Sequence, residues 1–139
     1  MGELDAERIC LDTDILIDNL RGIEETVRRI RELEVSGFIL STTAVSAFEL
    51  YYGVEKTEKR EKNREAVTRL LGRLVVYDFT EEAAERAGKI VADLEAGGNP
   101  IDFRDAFIGA TTIVNGSALF TRNTSHFLRV AELRLFEGN

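Results

Sequence analysis

A chain of 139 residues, 44% hydrophobic and 31% charged, is long enough to bury one core without disulfides or a structural metal, and the expected organisation is a single domain over residues 1–139. One cysteine, Cys10, and one histidine, His126, exclude an internal disulfide and acid–base catalysis by a histidine pair, and a formal charge of −7 argues against a broad phosphate-binding surface. No apolar run is long enough to cross a bilayer and the charged, acidic N-terminus does not read as an export signal, so no membrane association and a cytoplasmic location are expected.

Residues 8–11, RICL, read as a short strand in which Cys10 is a small buried thiol. The following TDILIDNLRG has helical spacing ended by Gly22, which puts Asp12 at the strand's carboxyl end. A second helix is predicted over 23–35, with Val27, Ile30 and either Leu33 or Glu34 marking its faces, before Gly37 and the strand FIL. The run 41–53, STTAVSAFELYYG, begins with candidate caps and continues as an apolar helix; the charged stretch 54–73 reads as a surface helix turning Val67, Leu70 and Leu71 inward. LVVYDF supplies a third strand, Thr80 caps a helix beginning EEAAERAGKIVADLEA, and GGNP ends it before a further helix opens around Asp102 and runs to about Asn115. ALFT (118–121) and LRLF (133–136) are short strands around RNTSHFLRV. Strands repeatedly separated by helices specify an α/β fold, a three-layer α/β/α domain with a mostly parallel central sheet. Ligands of such sheets bind beyond the strands' carboxyl ends, where Asp12 and the segment beginning at Thr121 are expected.

LDTDILIDNL sets Asp12, Asp14 and Asp18 into an apolar run, and an ionised carboxylate is costly to bury unless it is paired, hydrogen-bonded or bound to metal. Asp12 after a strand, Glu49 in the apolar helix and Asp105 near the start of FRDAFIGATTIV form the leading constellation. Oxygen ligands of this kind suit Mg²⁺ or Mn²⁺, which would offset the mutual repulsion of the acids, activate water and stabilise charge on a phosphoryl group. Each acid also has a structural reading: Asp12 or Asp14 can cap the next helix, Glu49 stands three residues after Ser46 as in a capping box, and Asp102 and Asp105 have that same spacing with Asp102 the better cap. Asp14 can support Asp12 from beside it, while Asp18, one turn further, can face solvent. Arg104 and Arg122 flank the site segments and could meet phosphates or pair with nearby acids.

With these motifs in this order, the chain resembles the PIN-domain family of metal-dependent ribonucleases, and within it the VapC-type toxins. LDTDILIDNLRG resembles the family's first motif and maps its metal-binding Asp onto Asp12; SAFELYYGVEK resembles the second and maps the Glu onto Glu49; PIDFRDAFIGATTIVNG resembles the third and maps the next Asp onto Asp105. LFTRNTSHF resembles the terminal motif, where members often supply another Asp at the place held here by Asn123 or by His126. Asn123 could coordinate through its amide oxygen or bond a metal-bound water, His126 could orient a ligand or substrate, and Thr121 could hold the strand end as a turn residue. Asn123 is ranked above His126.

The resemblance implies hydrolysis of RNA phosphodiesters with 5'-phosphate and 3'-hydroxyl products, an antitoxin protein that covers the cleft with a helix or an Arg-bearing tail, and a homodimer. AFELYY and VTRLLGRLVVY are candidate contact surfaces for these partners. Two other classes compete with this reading. DTDILID superficially matches the opening of haloacid-dehalogenase-type phosphatases, with Asp12 as nucleophile, but the lysine such enzymes need has no candidate beyond Lys56, Lys59, Lys62 and Lys89 in charged helical stretches. A catalytically weak or inactive RNA- or protein-binding module would keep the acids as caps and ion-pair partners; metal-dependent loss of RNA separates it from the nuclease.

Overall fold

The computed structural model describes residues 7–137; residues 1–6, on which the reading of the N-terminus falls, and 138–139 lie outside it. The chain runs β1 (Arg8–Leu11), α1 (Thr13–Leu20), α2 (Glu24–Val35), β2 (Ile39–Thr43), α3 (Ala44–Glu55), α4 (Arg60–Gly72), β3 (Val75–Tyr77), α5 (Glu81–Ala96), α6 (Phe103–Val114), β4 (Ala118–Phe120), α7 (Thr124–Phe127) and β5 (Arg134–Leu135). The strands form one parallel sheet in the order β3-β2-β1-β4-β5.

Side-chain alternation along β1 divides the core into the expected layers. Ile9 and Leu11 join a cluster that includes Leu16 of α1, Ile30 of α2, Leu50 of α3 and Val67 of α4. Cys10 points to the opposite face and packs with Leu119, Ile108 of α6 and Phe127 of α7. Register keeps the faces consistent, because Ile9 stands opposite Leu40 and Ala118 while Cys10 stands opposite Ser41 and Leu119. Both faces being covered explains why β1 reads as an unbroken apolar run after Arg8. Leu33 is buried on α2 and Glu34 is exposed, which settles the face left open above.

Several boundaries differ from the expectations, including ALFT, which ends at Phe120, and LRLF, which shrinks to Arg134–Leu135. β2 is not FIL but runs on through Ser41, Thr42 and Thr43, all with no exposed surface. The hydroxyls of Ser41 and Thr42 donate to the carbonyls of Ile9 and Leu11 at 3.2 and 2.7 Å, so polar residues that look like caps are satisfied inside a strand; only Thr43 is the cap. The charged stretch is likewise two pieces, the end of α3 and a separate α4, joined by a turn in which the Thr57 hydroxyl donates to the Val54 carbonyl. LVVYDF shrinks to Val75–Tyr77.

Candidate active site

From β1 the sheet grows one way to β2 and β3, then the chain returns to the other side of β1 to lay down β4 and β5. The carboxyl ends of β1 and β4 therefore flank a topological switch point, where chain leaving the two strands diverges and opens a crevice. Asp12 leaves β1 and Thr121 leaves β4 at this point.

Asp12 is the N-cap of α1 and is 4% exposed. Its backbone N–H donates to the Phe120 carbonyl at 3.0 Å, its Oδ1 accepts from the Thr13 N–H at 2.8 Å, and its Oδ2 accepts from the Thr121 hydroxyl at 2.7 Å. The Thr121 Oγ1 itself accepts from the Asn123 N–H at 3.0 Å, which leaves its one proton for Asp12. Burial pushes the Asp12 carboxyl up to about 7; the bonds from Thr121 and Thr13 oppose the rise, and the neighbouring charges of Asp14 and Asp105 add to it. The cap bond uses Oδ1 alone, so capping leaves Oδ2 to other partners.

Glu49 lies well inside α3, because the cap is Thr43, whose Oγ1 accepts from the Ser46 N–H at 3.0 Å. The capping-box reading of Ser46 and Glu49 therefore fails. Glu49 Oε1 accepts from the Thr13 hydroxyl at 2.6 Å and Oε2 stands 3.5 Å from Arg104 Nη1. Thr13 Oγ1 is also 2.9 Å from Ser46 Oγ, but its single proton goes to the carboxylate, which can only accept. Asp102 caps α6 by accepting from the Arg104 N–H at 2.8 Å, as expected, which places Asp105 in the first turn without capping duty. Asp105 is half-buried and its carboxyl is raised above the ordinary value by burial first and by the Asp102 and Glu49 charges, with His126 and Arg104 opposing. His126 Nδ1 is 3.9 Å from Asp105 Oδ2.

Glu49, Asp105, Arg104, Asn123 and His126 share the wall of a hollow of about 400 Å³. Asp12 is not on that wall. Asn123 occupies the N-cap position of α7 without a side-chain capping bond. Among the described residues, no three His, Cys, Asp or Glu side chains are gathered closely enough, as they stand, to hold a metal ion. Their chemistry nevertheless fits a hard divalent cation: the donors are carboxylates, the Asp105 charge raises the Asp12 carboxyl and the Glu49 charge raises that of Asp105, and beside Asp12 the buried Oδ1 of Asp14 has no hydrogen-bond partner.

Two residues were missed or misjudged in the sequence. Thr13 joins the Asp12 helix to Glu49, and nothing but its place between two acids hints at it. Asp18 does not face solvent: it is buried, and Arg122 grips it through Nη2–Oδ1 at 3.2 Å and Nε–Oδ2 at 3.1 Å. The Arg122 backbone N–H donates to Asp14 Oδ2 at 2.9 Å.

A family model described as PIN domain matches residues 9–133. The chain is 32% identical over 127 residues to the tRNA(fMet)-specific endonuclease VapC of Shigella flexneri, covering 91% of this chain and 95% of the relative. Among solved structures it is similar to a chain of DNA-bound VapBC from Salmonella typhimurium, with a TM-score of 0.86, 28% identity and coverage of 96% of this chain and 99% of that one. It is also similar to a chain of VapBC2 from Rickettsia felis bound to a promoter DNA fragment, with a TM-score of 0.85, 26% identity and coverage of 93% and 97%.

Proposed function

The chain belongs to the PIN-domain family, and from that premise we infer that it is an endoribonuclease of the VapC type, the toxin of a toxin–antitoxin pair, dependent on a divalent metal. The observation that carries the reading is the meeting of Asp12 and Thr121 at the switch point, with Glu49 tied to the same helix start through Thr13 and Asp105 close enough to act on Asp12.

Asp12, Glu49 and Asp105 would hold the cation, with Mg²⁺ or Mn²⁺ the candidates. When bound, the ion activates water for in-line attack and offsets charge on the scissile phosphodiester. The chain's own groups set up that chemistry. The Thr121 hydroxyl and the Thr13 N–H fix the Asp12 carboxylate, and the Thr13 hydroxyl fixes Glu49. Arg104 lends positive charge beside Glu49 at the rim of the hollow, where it can meet a phosphate. Asn123 and His126 take the places of a further acid, so Asn123 contributes a neutral amide oxygen and His126 a positive charge only when protonated.

Partners follow from the same reading: RNA as substrate, a cognate antitoxin and a second copy of the chain. Phe48 and Tyr52 in AFELYY, and Val75 and Val76 in VTRLLGRLVVY, are exposed and suit protein contacts. Among the described residues no helix is long and apolar enough to cross a membrane, and the cytoplasm is the proposed location.

The test incubates antitoxin-free protein with a pool of structured RNA in Mg²⁺, Mn²⁺ or EDTA, beside a folded Asp12→Asn, Asp105→Asn double variant, and maps the ends. Metal-dependent cleavage leaving 5'-phosphates, by the wild type alone, is the expected result. Identical traces from two folded proteins would move the reading to a binding module.

A further inference from the structure

The segment leaving β4 is attached to α1 at three successive heights. Thr121 bonds Asp12 at the helix cap, the Arg122 N–H bonds Asp14 in the first turn, and the Arg122 guanidinium grips Asp18 one turn further along. Asp14 and Asp18 share one face of α1 by their four-residue spacing. The outermost attachment is the strongest in form: two guanidinium nitrogens meet two oxygens of one carboxylate in a fork, and the Asp18 side chain is only 13% exposed. Thr26 Oγ1, 3.5 Å from Asp18 Oδ2, ties the start of α2 to the same carboxylate.

We propose that Arg122 is a positioning residue of the cleavage site, fixing the segment after β4 on α1 so that the Thr121 hydroxyl stays aimed at Asp12. The proposal rests on the ribonuclease reading above. Arg122 is 62% exposed and close to the crevice, which also suits a direct grip on RNA phosphate. The fork argues for the first role, because Nε and Nη2 are already committed to a buried carboxylate that would be stranded if the guanidinium left. The backbone bond to Asp14 survives loss of the side chain, so the segment would pivot rather than detach, and the change would fall on the orientation of Thr121.

The experiment compares wild type with Arg122→Gln, Arg122→Lys, Asp18→Asn and the Arg122→Gln, Asp18→Asn pair, each checked for folding. It measures kcat and KM on a defined RNA and amide exchange in the metal-free protein. Arg122→Gln should lower kcat roughly tenfold with KM within about twofold, since the loss is one of geometry and not of uniform binding. Arg122→Lys, which keeps the charge and loses the fork, should fall between. The double variant should be no worse than either single one, because both remove the same contact. Exchange at the Arg122 and Asn123 amides should rise roughly tenfold while α6 stays unchanged. A rise in KM at constant kcat would make Arg122 a phosphate contact, and faster exchange throughout the chain would make it ordinary scaffold; either overturns the proposal. Wild type that does not cleave would sink the ribonuclease reading alone, since exchange and its coupling to Asp18 test the clamp without activity.

Discussion

Asp12→Asn should stabilise the metal-free protein while abolishing cleavage. In the unfolded chain this carboxyl loses its proton near 3.8, whereas in the fold, buried beside Asp14 and Asp105, it keeps it up to about 7. Between those values the unfolded state binds fewer protons than the folded state, so this group's contribution to stability falls as pH rises and is lowest above 7. The gap between the two values, at roughly 1.4 kcal/mol per pH unit, bounds the cost of ionising the folded group at about 4 kcal/mol. Asn keeps an acceptor for the Thr13 N–H but turns the Thr121 hydroxyl from donor to acceptor, which returns about 1–2 kcal/mol. The expected outcome is a gain of about 2–3 kcal/mol near pH 8 and a loss of about 1 kcal/mol near pH 4. Urea denaturation of both proteins in EDTA across that range checks it, because groups common to both cancel in the difference. A difference that is flat with pH, or that turns against the variant as pH rises, would refute the account of Asp12 as a buried, repelled carboxylate. Saturating Mg²⁺ should reverse the order, raising the wild type by about 2.7 kcal/mol at a hundred times its Kd.

Three further outcomes follow. Glu49→Gln should lower cleavage by at least about a hundredfold with little change in Tm, because the Thr13 hydroxyl can still donate to the amide oxygen. Thr121→Val removes a charge-assisted bond to Asp12 and should cost about 1.5–3 kcal/mol near pH 8 and less near pH 5, read by the same denaturation series. The Cys10 thiol is buried and pushed up to about 12, so in the native protein a thiol reagent should label it at least about a thousandfold more slowly than in urea, at the rate of global opening.

The layers and the succession of helices and strands along the chain were legible because each element carries its own period and punctuation, whereas the strand order was not read. Gly22, at φ 72°, ends the α1 region, and Thr80 and Asp102 cap the helices they were expected to cap. Ser41, Thr42 and Asp18 were misread because each is satisfied by a partner distant in sequence. Ser41 and Thr42 read as caps because their bonds go to carbonyls on the neighbouring strand, about thirty positions away in sequence. Asp18 read as solvated because its partner, Arg122, follows the neighbouring strand β4 but lies 104 positions on in the sequence, invisible to any local window. Glu49 was ambiguous for the opposite reason: a local pattern was present but the helix starts earlier, at a hydroxyl that binds the Ser46 N–H. Asp105 was separable from Asp102 because a cap and a first-turn acid differ by position alone.

The acidity of the chain and the construction of the site bear on each other. A net charge of −7 repels a polyanion, and the crevice adds Asp12, Asp14, Glu49 and Asp105 to that repulsion. Of the cations beside it, Arg122 is committed to Asp18, while Arg104 stands between Glu49 and Asp102, 3.5 Å from each. Arg129, also on the wall of the hollow, bonds only to the carbonyls of His126, Asn99 and Pro100, so its charge is the one set against several acids among the described residues there. A divalent ion held by these acids would supply, besides activation of water, positive charge that favours the approach of RNA. RNA affinity should accordingly rise with metal occupancy, and without metal it should stay weak at every salt concentration, unlike that of a protein that binds by releasing counterions from a basic patch. Selection among RNAs then falls to the shape of the hollow and to rim side chains such as Asn123 and His126, because carboxylates and a cation act on the backbone that all RNAs share.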